Sequence, residues 1–231
     1  AEVECAEVLE IKDGDIKTVV TDSGEFEGKS VIIATGAKHR LLGLQNEENL
    51  IGEGISFCAV CDGAFYADKT VAVIGGGNSA LQEAILLSKT SKKVYVVQNL
   101  DFLTGEKRLE EILRKRGNVE IITGTIVESV KDGDTFTGIN ILRTADGEKS
   151  FLELDGMFVA IGLEPENGAF ESLAELDSVG YFDSGEDCLT KTKIPKVGQK
   201  VICNIYRDKL PYGFMGLVEN IYADYNRGVV V

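Results

Sequence analysis

Cys58-Ala-Val-Cys61 sets two thiols three positions apart, with the carboxylate of Asp62 directly behind the second. Two intervening residues at the start of a helix let the sulfurs reach each other. The helix N-terminus favours the thiolate, the form that attacks disulfides. Asp62 could move a proton to or from the leaving thiol, once local structure brings it round. The same cysteines could instead be half of a zinc site, or inert buried thiols. A four-ligand zinc site would need a second close pair, and Cys188 and Cys203 are 15 apart.

The second chemical signal is Gly75-Gly-Gly-Asn-Ser-Ala80, which fits the pattern G-x-G-x-x-A. Gly75 permits a tight turn, Gly77 lets the backbone approach a pyrophosphate, and Ala80 allows a helix to pack close on a strand. Asn78 and Ser79 open that helix, whose N-terminus stabilises an anion. A ligand-free glycine turn would give the same string. The end of the next strand should distinguish NAD from NADP. It reads Val97-Gln98-Asn99-Leu100-Asp101, without an arginine for a 2′-phosphate, and Asp101 would repel one. Asn99 or Asp101 could accept from a ribose hydroxyl. This favours NADH over NADPH, or a weakened nicotinamide site, unless Lys107 or Arg108 folds back.

The elements that must position these residues can be read from periodicity. Residues 2–11 alternate as a strand, Asp13-Gly14-Asp15 turns, and Lys17–Ser23 forms a second strand. Ser30–Ala34 reads as a buried strand ending at Thr35-Gly36, and 39–54 as loop. Thr70–Ile74, Lys93–Val97 and Val119–Ile122 read as strands. Asn78–Thr90 and Glu106–Arg116 read as helices between them. That βαβαβ order predicts a parallel sheet. Residues 125–154 predict an antiparallel meander turning at Asp132-Gly133 and Asp146-Gly147. Gly156–Gly162 reads as a further buried strand and 170–176 as a short helix. The expected class is α/β. A dinucleotide-binding domain over 56–162 is inserted between 1–55 and 163–231.

Bulk properties narrow the function. The chain has 231 residues, 44% hydrophobic and 27% charged, enough for a real core. A net charge of −14 disfavours nucleic acid. No apolar run approaches the length of a membrane span, and the acidic N-terminus does not resemble a signal peptide, so a cytoplasmic location is expected. Five irregularly spaced cysteines are no secreted disulfide framework, and Cys5, Cys188 and Cys203 are expected to be structural. A single histidine, His39, placed in a surface loop, excludes a Ser-His-Asp engine or a histidine-rich metal site.

Four segments together resemble the low-molecular-weight thioredoxin reductases: Val31–Ala37, Ser56–Tyr66, Val71–Glu83 and Gly156–Leu163. The resemblance runs from about residue 1 to 195. It implies two Rossmann-like domains, one for FAD and one for a nicotinamide cofactor, in a homodimer, with thioredoxin as partner. The dithiol lies on the nicotinamide domain, and a domain rotation lets it face flavin or thioredoxin. Cys58 and Cys61 are then the redox pair, with Cys61 nearer the flavin and Asp62 the acid–base carboxylate. Thr35 and Gly36 lie along FAD, and Ile161 and Gly162 count among the cofactor-binding residues. The central segment is the nicotinamide-type domain and the flanking ones an incomplete FAD-type domain. A flavoprotein that reduces a peroxidase partner, and a non-catalytic nucleotide-binding module, are the alternative readings.

Three departures accompany the resemblance. The family's first strand, GxGxxG turn and helix would stand roughly 100 residues ahead of this segment, within the usual size of a domain. Its arginine-bearing strand end is replaced by Gln98–Thr104, similar to variants in anaerobic bacteria thought to use NADH or another donor such as ferredoxin. After Pro195 a Gly-Asp strand end is expected. Cys203-Asn204 aligns near it, and the remaining tail is atypical. The FAD site is therefore expected to be incomplete, with weak or no FAD binding by this chain alone.

Overall fold

The computed structural model describes residues 3–131 and 135–184 in full, and four later strands by their backbone. The chain divides into two compact units, residues 39–162 and residues 1–38 with 163–231. The flanking unit begins with strands β1 (Val8–Lys12), β2 (Lys17–Thr21) and β3 (Gly24–Gly28), which form an antiparallel sheet in that order. Strand β3 follows an Asp22-Ser23 turn and was not expected, because Gly-Glu-Phe-Glu-Gly shows only one large apolar residue. Lys17 is buried where β2 begins, and its ammonium reaches Asp13 at 3.0 Å and the Gly14 carbonyl. Strand β4 (Ala37–His39) ends this first segment.

The central unit is built on a parallel sheet. Its strands are β5 (Ile55–Ser56), β6 (Thr70–Ile74), β7 (Lys93–Val97), β8 (Val119–Ile122) and, after the meander, β12 (Gly156–Val159). Their order is β5-β12-β6-β7-β8. Strand β6 is buried on both faces, as a central parallel strand must be. Its side chains alternate between two cores. Val71 and Val73 join Val94, Val96 and Phe158 beneath helix α2 (Asn78–Leu87), which presents Ala80, Leu81, Ala84 and Leu87. Leu113 of α3 (Lys107–Arg114) closes the same core. Ala72 and Ile74 face the other way, against Val127, Val130, Ile139 and Ile141 of a meander. Its strands are β9 (Thr125–Lys131), β10 (Gly138–Arg143) and β11 (Lys149–Glu153). The turn expected at Asp132-Gly133 lies outside the described residues, and that at Asp146-Gly147 is a turn.

The sequence-based boundary near residue 55 falls inside this unit. Leu50 and Ile55 are part of its core, and Leu42 and Leu44 pack against it. Glu47 pins this stretch. It is 1% exposed, and its carboxylate accepts backbone N–H groups from Leu42, Gly43 and Leu44 at 2.9, 2.8 and 3.1 Å. A buried carboxylate is tolerated only when so satisfied.

In the flanking unit, β13 (Leu163–Pro165) pairs with β4, and Lys38 forms an ion pair with Glu166. Ile11, Ile33, Phe170, Ala174 and Phe182 make its core. Two expectations fail here. Ser30–Ala34 forms no strand among the described residues, although Ile33 is buried. A strand is a paired object, and an apolar run without a neighbour has no ladder to join. The helix expected over 170–176 is a 3₁₀ turn at Gly168–Phe170 followed by a bridge from Leu176 to Phe182. So short a segment cannot repay helix nucleation, and packing of Phe170 and Ala174 decides its path. Cys5 is exposed rather than structural, since the residues ahead of β1 join no ladder. Strands Val201–Arg207 and Leu210–Gly216 pair antiparallel, as do Tyr222–Asp224 and Gly228–Val230. Cys188 and the side chain of Cys203 lie outside what is described.

Candidate active site

Strand β5 delivers the chain to Cys58, the N-cap of helix α1 (Ala59–Asp62). Cys58 has extended backbone (φ −145°, ψ 96°), and its sulfur accepts the Cys61 N–H at 3.1 Å. One helical turn brings the two Cα atoms to 5.3 Å, and the sulfurs are bonded. Bonded sulfurs leave no thiolate for zinc, and Cys61 is exposed rather than inertly buried. Because α1 is a single turn, its dipole is a small influence compared with that expected of a full helix.

Asp62 turns toward the end of strand β5. Its Oδ2 accepts the Ser56 hydroxyl at 2.6 Å, and Ser56 Oγ also accepts the Cys58 N–H at 3.1 Å. Tyr66 stands close by. Burial pushes its phenol above the ordinary value, followed by the charges of Asp62, Asp155 and Glu53. On the outer side, Val60 is 83% exposed and Phe65 73%, two large apolar side chains flanking the disulfide. His39, exposed as expected, stacks on Phe57 with ring centroids 4.6 Å apart.

The glycine turn follows β6. Gly75 has φ +129°, and a Cβ there would meet the Ala160 carbonyl oxygen at 2.4 Å. Only glycine fits. At Gly77 the nearest atom to an added Cβ is Thr104 Oγ1 at 3.8 Å, so the face that a ligand would approach is open. Ala80 is fully buried against the sheet. The first helical bond of α2 runs from Leu81 N to Gly77 O, which leaves the N–H groups of Asn78, Ser79 and Ala80 at the free helix end. These features suit a pyrophosphate, with Gly77, Asn78 and Ser79 as its holders.

The segment after β7 wraps over this turn. Thr104 and Gly105 donate their N–H groups to Gly76 O at 2.9 and 2.8 Å. Gln98 is buried, with its side chain packed over Gly76. Asn78 accepts the Glu106 N–H at 2.7 Å and donates to the Glu106 carboxylate at 3.0 Å. Asn99 and Asp101 are exposed beyond the strand end. Ile161 is half-buried after β12. Gly162 is exposed, and its carbonyl accepts the Arg40 N–H at 3.1 Å.

Since all five strands run parallel, Cys58, Gly75, Gln98 and Ala160 follow strand ends on one edge of the sheet. That edge is where open α/β sheets bind ligands, at the point where connections leave in opposite directions. Here β6 has β7 on one side and β12 on the other. In the other unit, Thr35 and Gly36 are exposed. Gly36 has φ +73° with open space where a side chain would stand, which leaves room for a cofactor to lie along it.

The sequence profile of the pyridine nucleotide-disulphide oxidoreductases matches residues 2–197. The chain belongs to this family. Within it, thioredoxin reductase of Listeria monocytogenes is 38% identical over 199 residues, 85% of this chain and 62% of that protein. Thioredoxin reductase of Streptomyces coelicolor is 38% identical over 73% of this chain and 52% of that protein. The crystal structure of Lactococcus lactis thioredoxin reductase superposes with a TM-score of 0.72 at 32% identity, over 81% of this chain and 62% of that one. That of T. acidophilum thioredoxin reductase gives 0.71 at 31%, over 82% and 63%. The chain thus spans about three fifths of the length of these relatives, and its α/β fold is theirs.

Ser56, Gln98, Thr104, Gly105 and Glu106 were not singled out by sequence. Ser56 carried a signal, a hydroxyl two residues ahead of the dithiol at a strand end. Glu106 carried none, because nothing in the sequence pairs it with Asn78.

Proposed function

We propose that this chain is the greater part of a thioredoxin-disulfide reductase. Electrons pass from a reduced donor through FAD to the Cys58–Cys61 disulfide and on to thioredoxin. The observation that carries the reading is a disulfide closed within one helical turn, with Asp62 anchored beside it, on the sheet edge that also holds the glycine turn. FAD, when bound, accepts hydride equivalents and passes on electron pairs. Thr35 and Gly36 would lie along it, and Ile161 and Gly162 contribute to cofactor binding.

Reduction of the disulfide takes two electrons and two protons and yields two thiols. The Cys58 thiolate then bonds to one sulfur of oxidised thioredoxin, breaking the partner's disulfide and releasing its other sulfur as thiolate. Cys61 attacks Cys58 in turn, which re-forms the internal disulfide and frees the partner as a dithiol. Asp62 exchanges the proton with the Cys61 sulfur. The exposed Val60 and Phe65 offer apolar area to a protein substrate docking over the sulfurs.

Gly77, Asn78 and Ser79 would hold the pyrophosphate of a nicotinamide cofactor, with Gly75 shaping the turn and Ala80 packing α2 on the sheet. The donor is NADH rather than NADPH, because 98–104 contains no arginine and Asp101 stands exposed beyond the strand. No helix among the described residues is long and apolar enough to cross a membrane. A homodimer is the setting that the family resemblance supports, and the composition suits a cytoplasmic one.

The test is an anaerobic titration of the chain with NADH, at FAD concentrations high enough to offset the weak binding expected of an incomplete site, followed by oxidised thioredoxin. Bleaching of the flavin band and new thiols in thioredoxin are expected, with no thiols formed by Cys58→Ser. A flavin bleached only by another reductant would replace NADH as donor. Thioredoxin left oxidised by a bleached flavoprotein would end the substrate assignment.

A further inference from the structure

Asp62 and Cys58 converge on one side chain, Ser56. We propose that Ser56 is a positioning residue for the proton transfer that accompanies thiol–disulfide exchange at Cys58–Cys61. This rests on Asp62 as the acid–base carboxylate.

Ser56 ends strand β5 and is 5% exposed. A hydroxyl has one proton to give and lone pairs to receive. The Cys58 N–H, 3.1 Å away, can only donate, so it takes a lone pair. The hydroxyl proton is thereby turned toward Asp62 Oδ2, 2.6 Å away. One side chain thus fixes the carboxylate relative to the backbone of the very cysteine that opens the pair. With Oδ2 so engaged, Oδ1 is the oxygen left to meet a sulfur. Without the anchor, rotation of the Asp62 side chain would spread both oxygens over several orientations.

The other titratable and charged groups nearby leave this role to Ser56. Cys58 and Cys61 share the turn. Tyr66 stands on the following 3₁₀ turn, with Glu53 and Asp155 acting on it beside Asp62. Helix α2 packs against α1, carrying Glu83 on its half-buried side. Among the described residues no cation pairs with Asp62. The sheet's rigid edge, rather than a mobile lysine or arginine, therefore sets where the carboxylate sits.

The test reads disulfide reduction by dithiothreitol, which needs no flavin. A dithiothreitol thiolate bonds to one cysteine sulfur and the internal disulfide breaks. The other cysteine leaves with the electron pair and takes a proton. The second dithiothreitol sulfur then displaces the first cysteine, giving cyclic oxidised reagent and two protein thiols. Rates are measured from pH 6 to 9 and normalised to the thiolate concentration of the reagent, with circular dichroism as the check on folding.

Ser56→Ala is expected to be slower on the order of tenfold near pH 6, where the leaving sulfur needs a proton, and to converge with the wild type near pH 9. Ser56→Thr restores the profile. Should Ser56→Ala fail to fold, Ser56→Thr against Ser56→Val makes the same comparison, since these differ by the hydroxyl alone. Asp62→Asn separates the two ideas. A slowed Asp62→Asn beside an unchanged Ser56→Ala, or an unchanged Ser56→Val, overturns the role of Ser56 and keeps that of Asp62. If Asp62→Asn matches the wild type at every pH, both fall.

Discussion

The dithiol turn and the glycine turn leave the same edge of one sheet, yet they are held in opposite ways. Around the disulfide, the side-chain hydrogen bonds are local. Ser56 reaches Asp62 six residues on, and Cys58 caps its own helix. Around the glycine turn they are remote. Asn78 meets Glu106 across 28 residues, and Gly75 is shaped by the carbonyl of Ala160. Local geometry survives small changes in packing. Remote geometry exists only while the whole unit is folded. A redox pair that must open and close gains from the first arrangement, and a site that must discriminate between ligands needs the second.

The comparison can be broken most forcefully at Gly75. Gly75→Ala forces a side chain into the Ala160 carbonyl and a left-handed backbone. It should cost about 2–5 kcal/mol in urea denaturation. Native Gly75→Ala should nonetheless titrate with no free thiol at positions 58 and 61. Thiols appearing there would show that the disulfide also depends on the remote packing.

A smaller effect is expected where the loop meets α2. Asn78→Ala removes two hydrogen bonds to Glu106 and should cost about 1 kcal/mol. A urea double-mutant cycle with Glu106→Ala should show the two losses to be non-additive. Additive losses would mean that the Glu106 carboxylate contributes nothing through Asn78, whose Oδ1 accepts the backbone N–H of residue 106 in either case.

A pH-dependent effect involves Glu83, on the helix that opens at the glycine turn and packs against α1. Burial pushes its carboxyl up from 4.5 to about 7, and its Oε2 is buried without a hydrogen-bond partner. The folded state therefore keeps its proton to higher pH than the unfolded chain. Stability from this group is complete below about 4.5 and is lost as pH rises through about 7. Glu83→Gln should gain on the wild type in Tm between pH 5 and 8, and a gap that stays constant across that range would count against the shift.

Much of the central unit was legible because its signals are short-range. After Thr70 and Lys93 the two strands Thr70–Ile74 and Lys93–Val97 continue in apolar or aromatic residues, and Ala80, Leu81, Ala84 and Leu87 fall on one helical face. The flanking unit was less legible. Ser30–Ala34 has the composition of a buried strand, but pairing depends on a neighbour that composition does not supply. Likewise 170–176 has apolar residues but too few turns to stand as a helix.

By itself the sequence determined the dithiol, the carboxylate behind it, the glycine turn and the alternation of strands and helices from Thr70 to Ile122. Each of these depends on residues within about one helical turn or one strand, where backbone geometry leaves few choices. Only the tertiary structure decided that Asn78 meets Glu106, that the 99–106 segment covers Gly76, and that 39–54 packs with the central unit. Those facts arise from chain segments meeting in space, and a hydrogen bond between distant residues leaves no trace in their local spacing.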